Sequence, residues 1–144
     1  MLCLQRRHFI KLASGMLAAS QIQPLWCNQV IVVVHRDNSH PIDWAYVNKI
    51  YSGALRSWPD GTPVLALDQP EDTELRALFS TQILNRSVAN MRALWSQNLF
   101  TGRGVPPKVV QLDSDVKRIV SSDKQAIGYI MASQIESNLK VIER

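Results

Sequence analysis

The stretch that decides the fold runs from Ile50 to Phe79 and reads IYSGALRSWPDGTPVLALDQPEDTELRALF. It predicts the end of a helix closed by Gly53, an exposed turn over 58–61, and a buried strand over 64–67. A second helix then begins near Asp72. In an α/β protein, the junction between a strand and the following helix is where an anion binds. Here that junction is acidic, so the same stretch also bears on what the chain can bind.

Strands and helices alternate on both sides of this stretch. The β-branched run 30–34 predicts a strand buried on both faces, and a helix begins at 41–43 with Asp43 in its first turn. Further strands are predicted over 109–112, 126–130 and 139–142, with helices before the first two. This alternation predicts an α/β domain with three layers and a mostly parallel central sheet.

The helices of the second half carry specific expectations. Ser87 is predicted to cap the third helix, and Asp113 or Ser114 the fourth. Apolar spacing gives the second and third helices one buried face each. The expected buried residues are Leu75, Leu78, Phe79 and Ile83 in the second helix, and Met91, Leu94, Trp95 and Leu99 in the third.

Residues 1–27 predict an export signal, and hence a periplasmic protein. The segment QRRHFIK resembles a twin-arginine signal through Arg6, Arg7, Phe9 and Lys11. An ordinary amphipathic helix, general secretion and a lipid anchor on Cys27 remain alternatives, and the cleavage site is open. Residues 28–144 then form a single domain.

The composition of residues 28–144 excludes several classes of protein. Without Arg6, Arg7 and Lys11, the 16 basic residues of the chain fall to 13, against 12 acidic ones. A nearly neutral body does not predict nucleic-acid binding. Both cysteines lie in the first 27 residues, so no thiol remains for a disulfide, a nucleophile or a metal. No stretch is long and apolar enough to span a membrane, and no cofactor motif is visible.

Four motifs, at 50–53, 56–61, 75–79 and 126–130, read IYSG, RSWPDG, LRALF and AIGYI. In this order and with these gaps, they resemble the phosphate-type substrate-binding proteins of ABC transporters. The resemblance covers residues 30–130. It implies a type II periplasmic-binding fold, in which two α/β lobes close on a ligand. The matched part is similar to the second lobe, so the chain is expected to be a single lobe.

The resemblance also implies where a ligand would bind. In the family, the strand matching 64–67 leads to an arginine and then to a serine-glycine-threonine turn at a helix N-terminus. Here Asp68 lies near the position of the arginine, and Asp72-Thr73-Glu74 near that of the turn. Acidic side chains at a helix N-terminus use the dipole and N–H groups that an anion would need. Phosphate binding is therefore in question at this turn.

Four residues are the candidate ligands for a small oxyanion. Arg76 matches the arginine of the family's Gly-Thr-Arg pattern, and Thr73 precedes it in the same turn. Arg103 lies in a Gly-Arg-Gly loop, and Ser52 belongs to the first motif. The alternatives are that Arg76 pairs with Glu71, Asp72 or an acid across the helix, and that the loop of Arg103 is only a connection.

Two functions follow from these features, and catalysis is not one of them because no nucleophile motif or glycine-rich phosphate loop is visible. The first is weak binding of a phosphate-like anion. The second is a non-catalytic interaction domain that pairs with itself, or with a membrane transporter or sensor, through the open face of a single lobe. Tyr51, Trp58 and Trp95 are the candidate aromatic anchors of such an interface.

Overall fold

A computed structural model describes residues 29–143. The predicted export signal, with Arg6, Arg7, Phe9, Lys11 and the alternative anchor Cys27, lies outside the described residues. Five strands and four α-helices follow one another in the described part. The strands are β1 (Val30–His35), β2 (Leu65–Asp68), β3 (Lys108–Val109), β4 (Ala126–Met131) and β5 (Leu139–Ile142). The helices are α1 (Trp44–Tyr51), α2 (Glu74–Gln82), α3 (Val88–Phe100) and α4 (Asp113–Ser122).

The strands form one sheet in the order β3-β2-β4-β1-β5. β2 is parallel to both β3 and β4, whereas β1 is antiparallel to both β4 and β5. Four strands therefore point one way, and β1 lies reversed between the two strands that come last in the chain. The prediction of a mostly parallel α/β sheet is confirmed in this mixed form.

Each face of the sheet carries its own hydrophobic core, which confirms the three layers. On one face, Val32 and Tyr129 pack with α1, α2 and α3, including Phe79 of α2. On the other face, Val33 and Ile130 pack against α4. Because alternate residues of β1 enter the two cores, its continuous apolar run is explained by burial on both sides.

Side-chain caps fix the starts of the helices before and after the β2–α2 segment. Asp43 accepts a hydrogen bond from the backbone N–H of Tyr46 at 2.8 Å, and Ser87 accepts one from Asn90 at 3.1 Å. Gly53 follows α1 with a φ of +81°, which favours glycine. The predicted capping by Ser87 and the helix end at Gly53 are both confirmed.

Two expectations about apolar residues are wrong. Trp58 is only 2% exposed, because its turn folds over the end of the sheet and its indole N–H donates to the Gln125 carbonyl at 3.2 Å. Leu99 is 51% exposed. Asn98 lies inward instead, since its side-chain amide donates to the Ser52 carbonyl at 3.2 Å. With Tyr51 also buried, Trp95 is the one candidate interface aromatic that stays half-buried.

The region of β3 and α4 also differs from the prediction. The third strand has two residues, not four, and ends at Val109. No side chain caps α4, which begins at Asp113 after an extended Leu112. The Asp113 carboxylate instead accepts a hydrogen bond from the Gln69 side chain at 2.8 Å. Across residues 29–143, no helix has the length and apolar character to cross a membrane.

Candidate oxyanion site

The junction between β2 and α2 holds a buried carboxylate where the strand ends. Asp68 is 9% exposed, and one of its oxygens, Oδ1, makes three contacts. Oδ1 accepts hydrogen bonds from the Tyr129 hydroxyl at 2.5 Å and from the Gln69 N–H at 2.8 Å. It also lies 2.8 Å from Nε of Arg76. A buried carboxylate is tolerated because donors and a cation surround it.

Arg76 is the cation of this cluster, and it is 4% exposed. It lies in the first turn of α2, which turns its side chain back towards the end of β2. Its Nη1 donates to the Ser80 hydroxyl at 2.7 Å. The Nε–H is not aligned along the contact with Asp68, so the two groups form an ion pair rather than a hydrogen bond. The acidic partner of Arg76 is therefore Asp68 at the end of β2, and not Glu71, Asp72 or an acid across the helix as expected. Glu71 pairs with Arg92 instead.

Burial raises the pKa of the Asp68 carboxyl above its ordinary value. The Arg76 guanidinium, the Tyr129 hydroxyl and the Gln69 N–H oppose this rise without cancelling it. Burial and the nearby Asp68 charge also raise the pKa values of Tyr129 and Tyr51. Both tyrosines are therefore neutral hydrogen-bond donors, and the Tyr51 hydroxyl donates to the Leu67 carbonyl at 2.7 Å.

Thr73 is the N-cap of α2. Its hydroxyl accepts from the Arg76 N–H at 3.3 Å and donates to the Pro70 carbonyl at 2.8 Å. Asp72 and Glu74, on either side of it, are exposed. A cap of this kind uses one of the free N–H groups at the start of the helix. Thr73 thus lies at the N-terminus of α2, as predicted, and its hydroxyl caps the helix.

Ser52 and Arg103 lie away from this cluster. The Ser52 hydroxyl donates to the Lys49 carbonyl at 3.2 Å beyond the end of α1. The Arg103 backbone N–H donates to the Asn98 carbonyl at 2.8 Å, and its side chain is exposed. Asn98 contacts both residues, so they share a neighbourhood. Neither lines the groove beside Asp68 and Arg76.

That groove has a volume of about 420 Å³ and runs between the β2–α2 junction, α3 and the loop before β3. Its polar residues include Asp68, Gln69 and Arg76, with the Glu71–Arg92 ion pair also at its surface. Apolar side chains of α3 and the loop form the opposite wall; they are Met91, Trp95, Leu99, Pro106, Pro107 and Val109. In the described part of the chain, no group of three or more His, Cys, Asp or Glu residues could hold a metal.

Sequence reasoning missed the two groups that position Asp68. Tyr129 was included only as part of the motif at 126–130, and Gln69 only as a neighbour of Asp68. Parallel pairing of β2 with β4 brings the ends of both strands to one edge of the sheet. The signal that could have found Tyr129 is a polar-tipped residue in an otherwise apolar strand, because a buried tyrosine hydroxyl needs a partner.

No protein-family model matches the chain, and no curated protein does. Solved structures do match. One is described as a phosphate ABC transporter substrate-binding protein with bound phosphate, from Clostridium perfringens. It is 16% identical, with a TM-score of 0.62 over 79% of this chain and 44% of that one.

Two further structures give the same result. An ABC-type phosphate transport receptor from Vibrio cholerae is 17% identical, with a TM-score of 0.57 over 79% of this chain and 45% of that one. PstS from Borrelia burgdorferi is 15% identical, with a TM-score of 0.57 over 78% of this chain and 46% of that one. The chain thus spans less than half the length of the structures it matches. Its fold is that of one lobe of a phosphate-type, type II periplasmic binding protein.

Proposed function

We propose that this protein is an exported, non-catalytic binding module that takes a small, protonated oxyanion into the groove beside Asp68 and Arg76. The observation that carries the proposal is the buried Asp68–Arg76 ion pair at the start of α2. A helix N-terminus and a guanidinium both favour an anion. The similar structure from Clostridium perfringens, solved with bound phosphate, supports phosphate as the first ligand to test.

The carboxylate of Asp68 sets a condition on the ligand. An ionised carboxylate only accepts hydrogen bonds, so the bound anion has to donate one. Hydrogen phosphate carries a proton that it can donate, whereas sulfate carries none at neutral pH. Because the known contacts of Asp68 all fall on Oδ1, the other oxygen is the acceptor that a phosphate proton would reach. The site should therefore prefer phosphate or arsenate to sulfate.

The test is a calorimetric and thermal-shift titration of the purified chain with phosphate and with sulfate. We expect a saturable rise in melting temperature with phosphate only, since a ligand of the native state stabilises it. Asp68→Asn supplies an amide N–H to the anion and should let sulfate bind as phosphate does. Asp115→Asn is the matched control, because Asp115 pairs with Arg118 on α4 at the other face of the sheet.

A flat response to phosphate in both the calorimeter and the melting experiment would contradict oxyanion binding. Equal affinity of the wild type for phosphate and sulfate would contradict the role of Asp68. Either result would leave the fold intact and direct attention to the second candidate function.

A second candidate, the interaction domain, is favoured by one surface. Among the described residues, the exposed large hydrophobic side chains are Leu99, Phe100, Val105, Val109, Leu112 and Ile135. All but Ile135 fall within residues 99–112, a stretch that contains two cations and no acid. We name this stretch the 99–112 surface. Exposed apolar side chains that form a contiguous patch are typical of a binding surface for another protein, and this stretch is where such a patch would form.

The occupant of the 99–112 surface would be a second copy of the chain or a transporter or sensor. Sedimentation velocity over a wide range of concentration tests the first possibility. A dimer that Phe100→Ser dissociates would support self-association, since Phe100 is 93% exposed and its replacement costs no core packing. A monomer at every concentration would exclude the homodimer. Ile135→Ser is the control, because Ile135 is exposed outside the surface.

A further inference from the structure

A second cleft lies next to the oxyanion groove, on the other side of a shared wall. Trp95, Pro106 and Pro107 line both cavities and form that wall. The second cleft has a volume of about 440 Å³, within the usual range for small-molecule sites. Its remaining apolar lining comes from α1 and β2 and the segments beside them; it includes Ile50, Leu55, Val64, Leu65 and Ala66.

Among residues 29–143, the charged residues that line this cleft are two cations, Arg56 and Lys108, with no acid beside them. Both side chains are exposed, and neither forms an ion pair or a side-chain hydrogen bond with any residue in 29–143. Several other cations are paired with acids, as in Arg92–Glu71 and Lys117–Glu136. The cleft therefore presents positive charge that no acid within residues 29–143 neutralises.

Two glycines allow the walls of the cleft to take this shape. The Arg56 guanidinium lies flat on the backbone of Gly104, where a Cβ atom would come within 2.8 Å of its Nη2. Across the cleft, the Trp95 ring rests on Gly53, where a Cβ atom would come within 2.9 Å of the ring. The Trp95 indole N–H also donates to the Tyr51 carbonyl at 3.0 Å. The ring is thus held at both ends and forms a rigid wall.

We infer that this cleft binds a small monocarboxylate with an aromatic or branched aliphatic body. The guanidinium of Arg56 can hold a carboxylate through two parallel hydrogen bonds, and the Lys108 ammonium adds a second charge. The apolar floor and the Trp95 ring accommodate the body of the ligand. An inorganic oxyanion does not fit this chemistry, because it has no apolar part to place against these walls and loses hydration there.

This site is independent of the proposed oxyanion function, and the test separates the two. Benzoate is the probe, and the purified full chain is followed by two-dimensional ¹H–¹⁵N NMR. Benzoate should shift the Trp95 indole and the backbone amides of Val64 and Gly104. Phosphate should instead shift the amides of Gln69 and Thr73 beside the other groove. If one ligand produces no chemical-shift changes, the result for the other ligand can still be interpreted.

Charge and shape are then tested separately. Benzamide, which matches benzoate in shape but has no charge, should bind at least about tenfold more weakly. Arg56→Ala should weaken benzoate binding by about tenfold or more, and Lys108→Ala by about threefold. Arg118→Ala, an exposed arginine on α4 at the other face of the sheet, is the control and should leave the affinity unchanged.

Three results would overturn the inference. The first is the absence of benzoate-induced shifts at Val64 and Gly104. The second is equal affinity for benzoate and benzamide, because a purely apolar cleft would give that result. The third is an unchanged benzoate affinity in Arg56→Ala, whose folding is checked by its unperturbed NMR spectrum.

Discussion

Two arginines border neighbouring cavities in this protein, and they differ in whether an acid within residues 29–143 already pairs with them. Arg76 is buried, ion-paired with Asp68 and bonded to Ser80. Arg56 is exposed, lies flat on Gly104 and is unpaired within residues 29–143. The motif that resembles a phosphate site contains Arg76, whereas the guanidinium without an acidic partner in residues 29–143 is that of Arg56. Matching a residue type to a family position predicts a charge, but packing decides whether a ligand meets an ion pair, as at Arg76, or a single cation, as at Arg56.

The largest expected effect comes from removing the buried cation. Arg76→Met keeps most of the volume but leaves Asp68 as an unpaired buried charge. We expect the free energy of unfolding to fall by about 3–5 kcal/mol, measured by urea denaturation. Arg56→Met is the matched change in the exposed arginine and should alter stability by less than about 0.5 kcal/mol.

Adding Asp68→Asn to Arg76→Met removes the unpaired buried carboxylate. The double variant should therefore recover part of the lost free energy of unfolding. If Arg76→Met and Arg56→Met destabilise the protein equally, the contrast between the two arginines is wrong.

A smaller effect is expected from the tyrosines of the buried cluster. Tyr129→Phe removes a hydrogen bond to a carboxylate and should cost about 1.5–3 kcal/mol. Tyr51→Phe removes a bond to the neutral Leu67 carbonyl and should cost about 0.5–1.5 kcal/mol. Thermal and urea unfolding of the two variants would measure the difference. A larger loss from Tyr51→Phe would show that Asp68 does not depend on the Tyr129 hydroxyl.

The helix caps give the next comparison. Thr73→Ala and Ser87→Ala each remove an N-cap side chain and should each cost about 1 kcal/mol. Phosphate affinity distinguishes them, because the sequence predicts Thr73 as a ligand of the oxyanion and does not predict Ser87. A loss of phosphate binding in Thr73→Ala alone would give Thr73 a ligand role beside its capping role. Equal phosphate affinity in the two variants would limit Thr73 to capping.

The smallest expected effect is the change of stability with pH. The donors around Asp68 offset much of the rise in its pKa that burial causes. Its pKa is raised in the folded state above the ordinary value of 3.8. Its contribution to stability is therefore fully present below pH 3.8 and is lost as the pH rises through the raised folded pKa. Relative to Asp68→Asn, the wild type should lose stability over that window.

Carboxyl NMR titration checks the sign directly. Asp68 should titrate above 3.8, and Asp60 below it, because the Thr62 hydroxyl and N–H donate to the exposed Asp60 carboxylate. An Asp68 pKa below 3.8 would mean that the ion pair outweighs burial.

The sequence predicted those features that depend on local pattern. The β-branched run from Val30, the cap at Ser87 and the turn at Gly53 each follow from a few neighbouring residues, and the structure has all three. The predictions that were wrong concern residues whose hydrogen-bond partners lie far away in sequence. Trp58 is buried because it reaches Gln125, 67 residues away in sequence. Asp113 does not cap its helix because Gln69 engages its carboxylate.

The candidate site shows the same limit. An arginine one turn into α2 was predicted, and so was an acidic partner, but that partner proved to be Asp68 at the end of the preceding strand. Identifying it requires the register that brings Tyr129 beside Asp68, which depends on the pairing of β2 with β4. The cleft of Arg56 could not be foreseen, because its walls come from segments that meet only in the folded protein.

The reversed strand β1 also constrains the order in which the chain folds. Both of its neighbours, β4 and β5, come from residues 126–142, so its backbone stays unpaired until those residues, about 90 or more positions later in the sequence, are present. Closing so long a loop carries an entropic cost, and pairings of this kind slow folding. A chain still being synthesised would keep an apolar strand, 30–35, available to other proteins. Chaperones that act on unfolded chains would have that interval in which to bind.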